Sequence, residues 1–332
     1  MIHQFSRVRV PAAGVPVRAA VAGVAVAASL LIAGCAGGAR LAAPPRVEKP
    51  DLTVAAVPAV DSAALYIAQQ RGLFAAQGLH VKIVPVISSS AAVTGQLAGR
   101  YDVTVGDYVS DILANALHHG DVRILAAAAR LRPDSQEVVV PAGSPIQAIA
   151  ALRGKSIGVN AADNAGTLLV SSALADAGIS PSDVHFVPIP FPEMAAALQA
   201  HRVDAAYLPE PYLTGAEMAI GAQPIVDTDQ GTAENFPVSG FVVTQAWEHR
   251  YPGTAAAFRR AIRAAQAIAG TNLAAVQQAM ISVVGVPRVT AALMAPPGYP
   301  MNPDPAALQR LANLMLRLGM LPVTYRVTPM LR

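Results

Sequence analysis

DLTVAAVPAVDSAALYIAQQRGLFAAQGLHVKIVPV, residues 51–86, sets the architecture of this chain. DLTVAAVP (51–58) is a short apolar run that stops at a proline and reads as a strand. ALYIAQQRG (64–72) carries apolar residues at helical spacing, and VKIVPV (81–86) is a second strand. Two short strands separated by a helix form the unit from which parallel pairs are built, because a parallel connection must travel back along the sheet before pairing. The rhythm continues with helical AAVTGQLAG (91–99), strand DVTVG (102–106), helical SDILANALHHG (110–120) and strand VRILAAA (122–128). After EVVVPAGSPI (137–146) it restarts. KSIGVN (155–160), VHFVPI (184–189) and DAAYL (204–208) read as strands, with GTLLVSSALADAG (166–178) and PEMAAALQA (192–200) as the helices between them. From Thr254 onward the pattern is nearly all helical, most clearly in 255–270 and 273–285. Such alternation predicts an α/β protein with parallel sheets covered by helices on both faces. The roughly 280 residues after residue 50 exceed a single-core size and predict two lobes.

Ahead of that region lies a different kind of sequence. Arg7, Arg9 and Arg18 precede residues 19–34, which carry no charge, and Ala33 and Gly34 stand before Cys35, the single cysteine of the chain. A basic start, a short apolar run and small residues at its end are the layout of a secretory signal, and the run is shorter than the roughly 20 residues of a membrane span. Ile32-Ala33-Gly34-Cys35 resembles a bacterial lipobox, which implies that 1–34 is a lipoprotein signal peptide and that Cys35 carries the lipid anchor. The competing reading, a small buried cysteine, lacks any folded context around it. Residues 35–50, rich in Gly, Ala and Pro without hydrophobic period, read as the lipidated residue and a flexible tether.

If the cut falls before Cys35, the mature chain holds one thiol, and that one is modified. This excludes a disulfide, a thiolate nucleophile and a Cys-ligated metal or cluster. Of 24 basic and 21 acidic residues, the leader removes three arginines and no acid, so the mature domain is neutral. A neutral domain lacks the electrostatic footprint of a nucleic-acid binder. The histidines offer no metal site either: His118 and His119 are adjacent and diverge on a helix, while His185, His201 and His249 are isolated. No cofactor is expected. Trp247 reads as a packing residue.

Three stretches, 61–85, 88–108 and 152–212, which include SSSAAVTGQLAGRYDVTVGDY and LRGKSIGVNAADNAGTLLV, look in order and spacing like the substrate-binding proteins of ABC importers. The resemblance is to the nitrate, sulfonate and taurine branch, which also includes carriers of thiamine-pyrimidine precursors, and it runs from about Asp51 to about Leu321. It implies a periplasmic-binding-protein type II fold, two α/β lobes with a ligand cleft between them. It places 51–139 with 240–332 in lobe I and 140–239 in lobe II. It also implies the function: an extracytoplasmic component, anchored to the membrane through Cys35, that captures a small organic solute of the sulfonate, nitrate or taurine type, or a pyrimidine-like one, by closing its two lobes and hands it to an ABC permease and its ATPase. The chain is expected to act as a monomer. Two alternatives share the fold: an enzyme of the thiamine-pyrimidine or menaquinone-route type, and a solute-sensing lipoprotein. The first lacks here the cysteine-rich motif of those synthases.

In open parallel sheets, ligands sit beyond the carboxyl ends of the strands, where helix N-termini present free N–H groups. The candidate loops therefore hold Pro58, Ala59 and Asp61; Ser88, Ser89 and Ser90; Asp107 and Tyr108; Asn160, Asn164, Gly166 and Thr167; and Glu210, Pro211 and Tyr212. Each has a structural alternative. The serines, Asp61 and Asp107 are helix caps as readily as ligand contacts; Asn164, Gly166 and Thr167 are read as cleft residues ahead of a cap, Tyr108 as an aromatic ligand contact ahead of a core residue, and Glu210 either binds an amine or braces the loop. These candidates include three acids, Asp61, Asp107 and Glu210, and the loops carry neither Arg nor Lys. Anion recognition commonly uses a cation, so a neutral, zwitterionic or amine-bearing ligand is expected, unless Arg100, Arg130, Arg132 or Arg153 folds back into the cleft.

Overall fold

The structure, a computed structural model, describes residues 46–117 and 120–331. The expected signal peptide, Cys35 and the expected tether up to residue 45 lie outside the described residues, as do His118 and His119.

Among the described residues, ten strands form two five-stranded sheets. The first contains β1 (Asp51–Ala56), β2 (His80–Pro85), β3 (Val103–Asp107), β4 (Val122–Arg130) and β10 (Pro237–Thr244), in the order β2-β1-β3-β10-β4. The second contains β5 (Gln136–Val140), β6 (Ser156–Val159), β7 (His185–Pro188), β8 (Ala205–Pro209) and β9 (Gln223–Asp227), in the order β7-β6-β8-β5-β9. Helices α1 (Ala63–Gln70), α2 (Ser89–Leu97) and α3 (Tyr108–Leu117) alternate with the early strands. Then α4 (Ala165–Asp176), α5 (Phe191–Gln199) and α6 (Tyr212–Ile220) alternate with the later ones. The C-terminal part is α7 (Gln245–Arg250), α8 (Pro252–Ala269), α9 (Leu273–Ala279), α10 (Arg288–Leu293) and α11 (Pro305–Arg317).

The sheets are mixed, where the alternation predicted parallel ones. β2, β1 and β3 run parallel, as do β7, β6 and β8, but β10 is antiparallel to both β3 and β4, and β5 to both β8 and β9. Each sheet thus has one reversed strand, and in each it is the strand that arrives from the other sheet. Residues 131–135 lead from β4 to β5, and residues 228–236 lead from β9 to β10. Links this short contain no crossover helix to restore a parallel direction. β5 enters the second sheet at Gln136 and β10 the first at Pro237, so both crossings fall a few residues before 140 and 240. The sequence pattern marks no strand at 223–227 or 237–244, because Pro224, Pro237 and Gly240 interrupt those apolar runs.

Two apolar clusters hold the described residues together. One packs the first sheet against α1, α8 and α9, with Phe258 of α8 stacked on Phe74 at 5.2 Å and edge-on to Phe241 of β10 at 5.8 Å between ring centroids. The other joins the second sheet and α4 to α3 and α11, so Ile112 and Leu113 share a core with Leu168 and Leu169. The polar clasp of the first sheet is Asp102. Its carboxylate accepts from Lys49 Nζ, from Thr53 N at 2.9 Å and from Trp247 Nε1 at 2.9 Å. Trp247 is thereby a packing and clasp residue, edge-on to Tyr251.

Candidate functional site

The carboxyl ends of β1, β3, β6 and β8 converge on a cavity of about 50 Å³, walled by both sheets. The first sheet contributes Val57, Ala59, Asp61, Ser62, Ser89, Val105, Gly106, Asp107, Val238 and Ser239. The second contributes Gln136, Asn160, Asn164, Ala165, Gly166, Phe191, Tyr207 and Pro209. Seven of the residues expected from sequence line it: Ala59, Asp61, Ser89, Asp107, Asn160, Asn164 and Gly166.

Several of these both cap a helix and face the cavity. Asn164 Oδ1 accepts from Thr167 N at 3.1 Å at the start of α4, while its Nδ2 donates to Asn160 Oδ1 at 2.6 Å. Asp107 accepts from Ser110 N at 2.8 Å and from the Ser110 hydroxyl at 3.1 Å, and Ser89 Oγ accepts from Asp107 N at 2.9 Å. Short polar side chains at strand ends serve both purposes because a cap uses one oxygen lone pair and leaves others for the cavity.

The remaining candidates sit around the cavity without lining it. Ser88 caps α2 by accepting from Ala91 N, and Ser90 bonds to Ser88. Tyr108 directly follows Asp107 and points the opposite way. It is 1% exposed and lies against Gly240, where an added Cβ would come within 2.5 Å of its ring. Thr167 turns its hydroxyl toward Ala161 O and Asn164. Tyr212 donates to Pro58 O at 3.0 Å and stacks on Phe191 at 5.2 Å, so Pro58 and Tyr212 join the two sheets' loops behind the cavity wall. Pro211 opens α6 just beyond Glu210.

Glu210 is 2% exposed, and its carboxylate is turned onto protein donors: Thr214 Oγ1 at 2.6 Å, Thr214 N at 3.2 Å and Ala295 N at 3.1 Å. Its carbonyl accepts from Val60 N at 3.0 Å. Of the two roles open to it, the brace has the geometry. Glu210→Ala should lower stability by about 2–4 kcal/mol, because it leaves buried donors in α6 and after α10 unpaired. Urea denaturation with an unchanged slope is the measurement; a cost under about 0.5 kcal/mol would show that the bonds contribute nothing.

Sequence reasoning missed Gln136, Tyr207 and Ser239. Tyr207 of β8 donates to Gln136 Oε1, and Gln136 Nε2 donates to Asp61 Oδ2 at 3.5 Å, so a relay crosses from the second sheet to the first. Gln136 belongs to a reversed strand and Ser239 to the other, and neither strand's place in its sheet follows from local pattern. Burial, with the Asp107 charge as a second cause, pushes Asp61 up to about 7. Burial also raises Asp107, and it raises Asp111, one turn along α3, well above the carboxylate range with help from Asp107. None of Arg100, Arg130, Arg132 and Arg153 lines the cavity; Arg153 pairs with Asp183 on the surface. Among the described residues no group of His, Cys, Asp and Glu is arranged to hold a metal ion.

Several solved structures share this arrangement. The alkanesulfonate-binding protein SsuA from Xanthomonas axonopodis pv. citri, bound to MOPS, is 18% identical, with 86% of this chain and 99% of that chain covered and a TM-score of 0.75. The periplasmic nitrate-binding protein NrtA from Synechocystis PCC 6803 is 16% identical over 84% of each chain, TM-score 0.73. The desulfurization enzyme DszB is 19% identical over 85% of this chain and 96% of that one, TM-score 0.64. No curated protein matches the chain in sequence. The fold is the two-lobed α/β architecture of type II periplasmic binding proteins. The model of the NMT1-like family aligns with residues 46–284, from just before β1 to just past α9, and the chain belongs to that family.

Proposed function

We propose that this chain is the extracytoplasmic solute-binding component of an ABC importer, a receptor that closes two lobes on a small organic solute and delivers it to a permease. The observation that carries this reading is the cavity itself, which lies at the strand ends of both sheets and takes walls from each. A ligand touching both walls stabilises the closed arrangement over an open one, and closure pairs lobe surfaces that a permease then recognises. Reversing an open-to-closed ratio of 99 to 1 requires about 5.5 kcal/mol of differential binding. Polar bridges between the lobes accompany closure. Asn160 Nδ2 reaches Ile87 O at 3.4 Å, Tyr212 reaches Pro58 O, and Val60 N reaches Glu210 O. In this reading lobe I follows the first sheet, 51–130 with 237–332, and lobe II follows the second, 136–227; the expected boundaries at 139/140 and 239/240 move a few residues earlier, onto the links 131–135 and 228–236, which act as the hinge.

The similar binding proteins for alkanesulfonate and nitrate support a binding role, and the lipobox-like LIAGC supports an anchor outside the cytoplasmic membrane. DszB shows that a similar fold hosts catalysis, and one of its structures is a cysteine-to-serine mutant with biphenyl-2-sulfinic acid. Here the single cysteine is Cys35, upstream of the family-matched region, and the cavity wall holds no cysteine, histidine or lysine. This favours a receptor over an enzyme.

Two measurements test the reading. Mass spectrometry of the purified protein should find a stoichiometric small solute that stabilises the solute-stripped chain when added back, by about 2.7 kcal/mol at 100 times its dissociation constant. Turnover of that solute would instead make the protein an enzyme. Cys35→Ser should leave an uncleaved or soluble product; normal processing with retention in the membrane fraction would refute the lipid anchor.

A further inference from the structure

We propose that the cavity selects its solute through a positively charged nitrogen, held between Asp61 and Asp107, and rejects the sulfonates and nitrate bound by similar proteins. This rests on the reading of the cavity as the solute site and assigns its ligand class.

Four observations converge on it. First, the wall contains two carboxylates and no lysine, arginine or histidine. An anion entering it would meet like charge, whereas an ammonium would meet two acceptors of the opposite sign. Second, the anion-attracting feature of such cavities, a helix N-terminus, is already answered from inside the protein. The Asp107 carboxylate lies across from α4, close enough to the Ala165 N–H to be stabilised by it. Third, polar capacity is left over on the wall. Asp61 Oδ1 and the hydroxyl of Ser239, a residue 3% exposed that lines the same cavity, are buried without a partner at full hydrogen-bond geometry, although the hydroxyl lies near enough to the Asp61 carboxylate to act downward on its pKa. A cation with several N–H groups supplies the donors that Asp61 lacks, and Ser239 can accept one more. Fourth, the opposite wall is aromatic. Phe191 and Tyr207 are tilted rings 6.4 Å apart, and their faces favour a cation or a flat apolar body.

The groups facing Asp61 from every packed element are acids, phenols or neutral: Asp107 at the end of β3 with Asp111 behind it on α3, Tyr207 on β8, Tyr299 after α10, and neutral Gln136 and Ser239. No residue of the cavity wall supplies a counter-charge. The ligand therefore supplies it, and an ionised Asp61 is the binding form. Burial sets its pKa at about 7, so affinity rises with pH through that value.

The test is isothermal titration of the full-length protein in a non-ionic detergent, stripped of co-purifying solute. The probes are matched in size and opposite in charge: ethylammonium and benzylammonium against ethanesulfonate and benzenesulfonate, with nitrate as a further anion. The ammonium probes are expected to bind more than 10-fold tighter than the sulfonates at pH 8, and on the order of 10- to 100-fold more weakly at pH 5 than at pH 8. Asp61→Asn should weaken ammonium binding and flatten its pH dependence, and the pH profile of the unmutated protein serves even if that variant folds poorly. Sulfonate or nitrate binding as tight as ammonium binding, or ammonium binding independent of pH, overturns the ligand class. If the anions bind and Gly166→Val abolishes it, the solute site stands and its proposed charge preference falls. Binding of neither class at millimolar probe overturns both.

Discussion

Asp61→Asn should make the ligand-free protein more stable at pH 8 by about 2–4 kcal/mol and leave it nearly unchanged at pH 4. The carboxyl is raised from 3.8 to about 7, first by burial and then by the neighbouring Asp107 charge. A group whose folded pKa lies above its unfolded value contributes its full stability below the unfolded pKa and loses it as pH rises through the folded one. Asp61 therefore costs the ligand-free protein stability progressively between about pH 4 and pH 7. A tenfold change in a proton-binding constant is about 1.4 kcal/mol, which puts the ceiling near 4 kcal/mol; the partial exposure of Asp61 to the cavity lowers the expected value. Asparagine removes the charge, keeps an oxygen for Gln136, and brings an N–H₂ that Ser239 Oγ can accept. Asp107 and Asp111 are raised too, so some pH dependence remains in the variant. Urea denaturation of both proteins from pH 4 to pH 8 reads the difference. Stability curves that run parallel would show that Asp61 is ionised in the folded state without cost, and would remove the reason for a cationic ligand.

Gly166→Val should abolish solute binding, by 100-fold or more, while the chain still folds. Gly166 sits in the first turn of α4, and a Cβ there would lie 2.6 Å and 2.8 Å from two ring carbons of Tyr207 and 3.4 Å from Asn164 Oδ1. Tyr207 is 3% exposed and tied through its hydroxyl to Gln136, so the ring cannot swing aside without breaking the relay to Asp61. Overpacking of this kind costs about 1–3 kcal/mol of stability. The larger effect falls on the cavity, which at about 50 Å³ has no room for the branched side chain and a ligand together. Titration with the co-purified solute, alongside near-ultraviolet circular dichroism to confirm native packing, reads the outcome. Unchanged affinity in a folded variant would place the solute elsewhere.

The pattern of strand and helix was legible because it is local. The apolar runs at 51–58 and 81–86 and the helix between them reappear as β1, β2 and α1, and the loops that follow such strands indeed hold seven of the cavity's residues. The absence of cations from those loops was likewise readable, and no distant arginine folds back to change it. Tyr108 shows where local reasoning stops. It neighbours Asp107 in sequence, but the turn from β3 into α3 sends the two side chains to opposite sides, one to the cavity and one onto Gly240. Glu210 shows the same limit, since its third partner, Ala295 N, is 85 residues away.

Composition and periodicity by themselves determined that this chain alternates strand and helix, that it is long enough for two lobes, and that acids and small polar residues cluster at strand ends. Those properties depend on each residue's own chemistry and on neighbours within a turn or a strand. Only the tertiary structure decided that β5 and β10 exchange between sheets in reversed direction, bringing Gln136 and Ser239 to the cavity beside Asp61. Strand order and direction are set by which faces bury against which helices, a free energy summed over the whole packed molecule. The same burial raises the pKa of Asp61, because a carboxylate loses its water only when residues distant in sequence close around it.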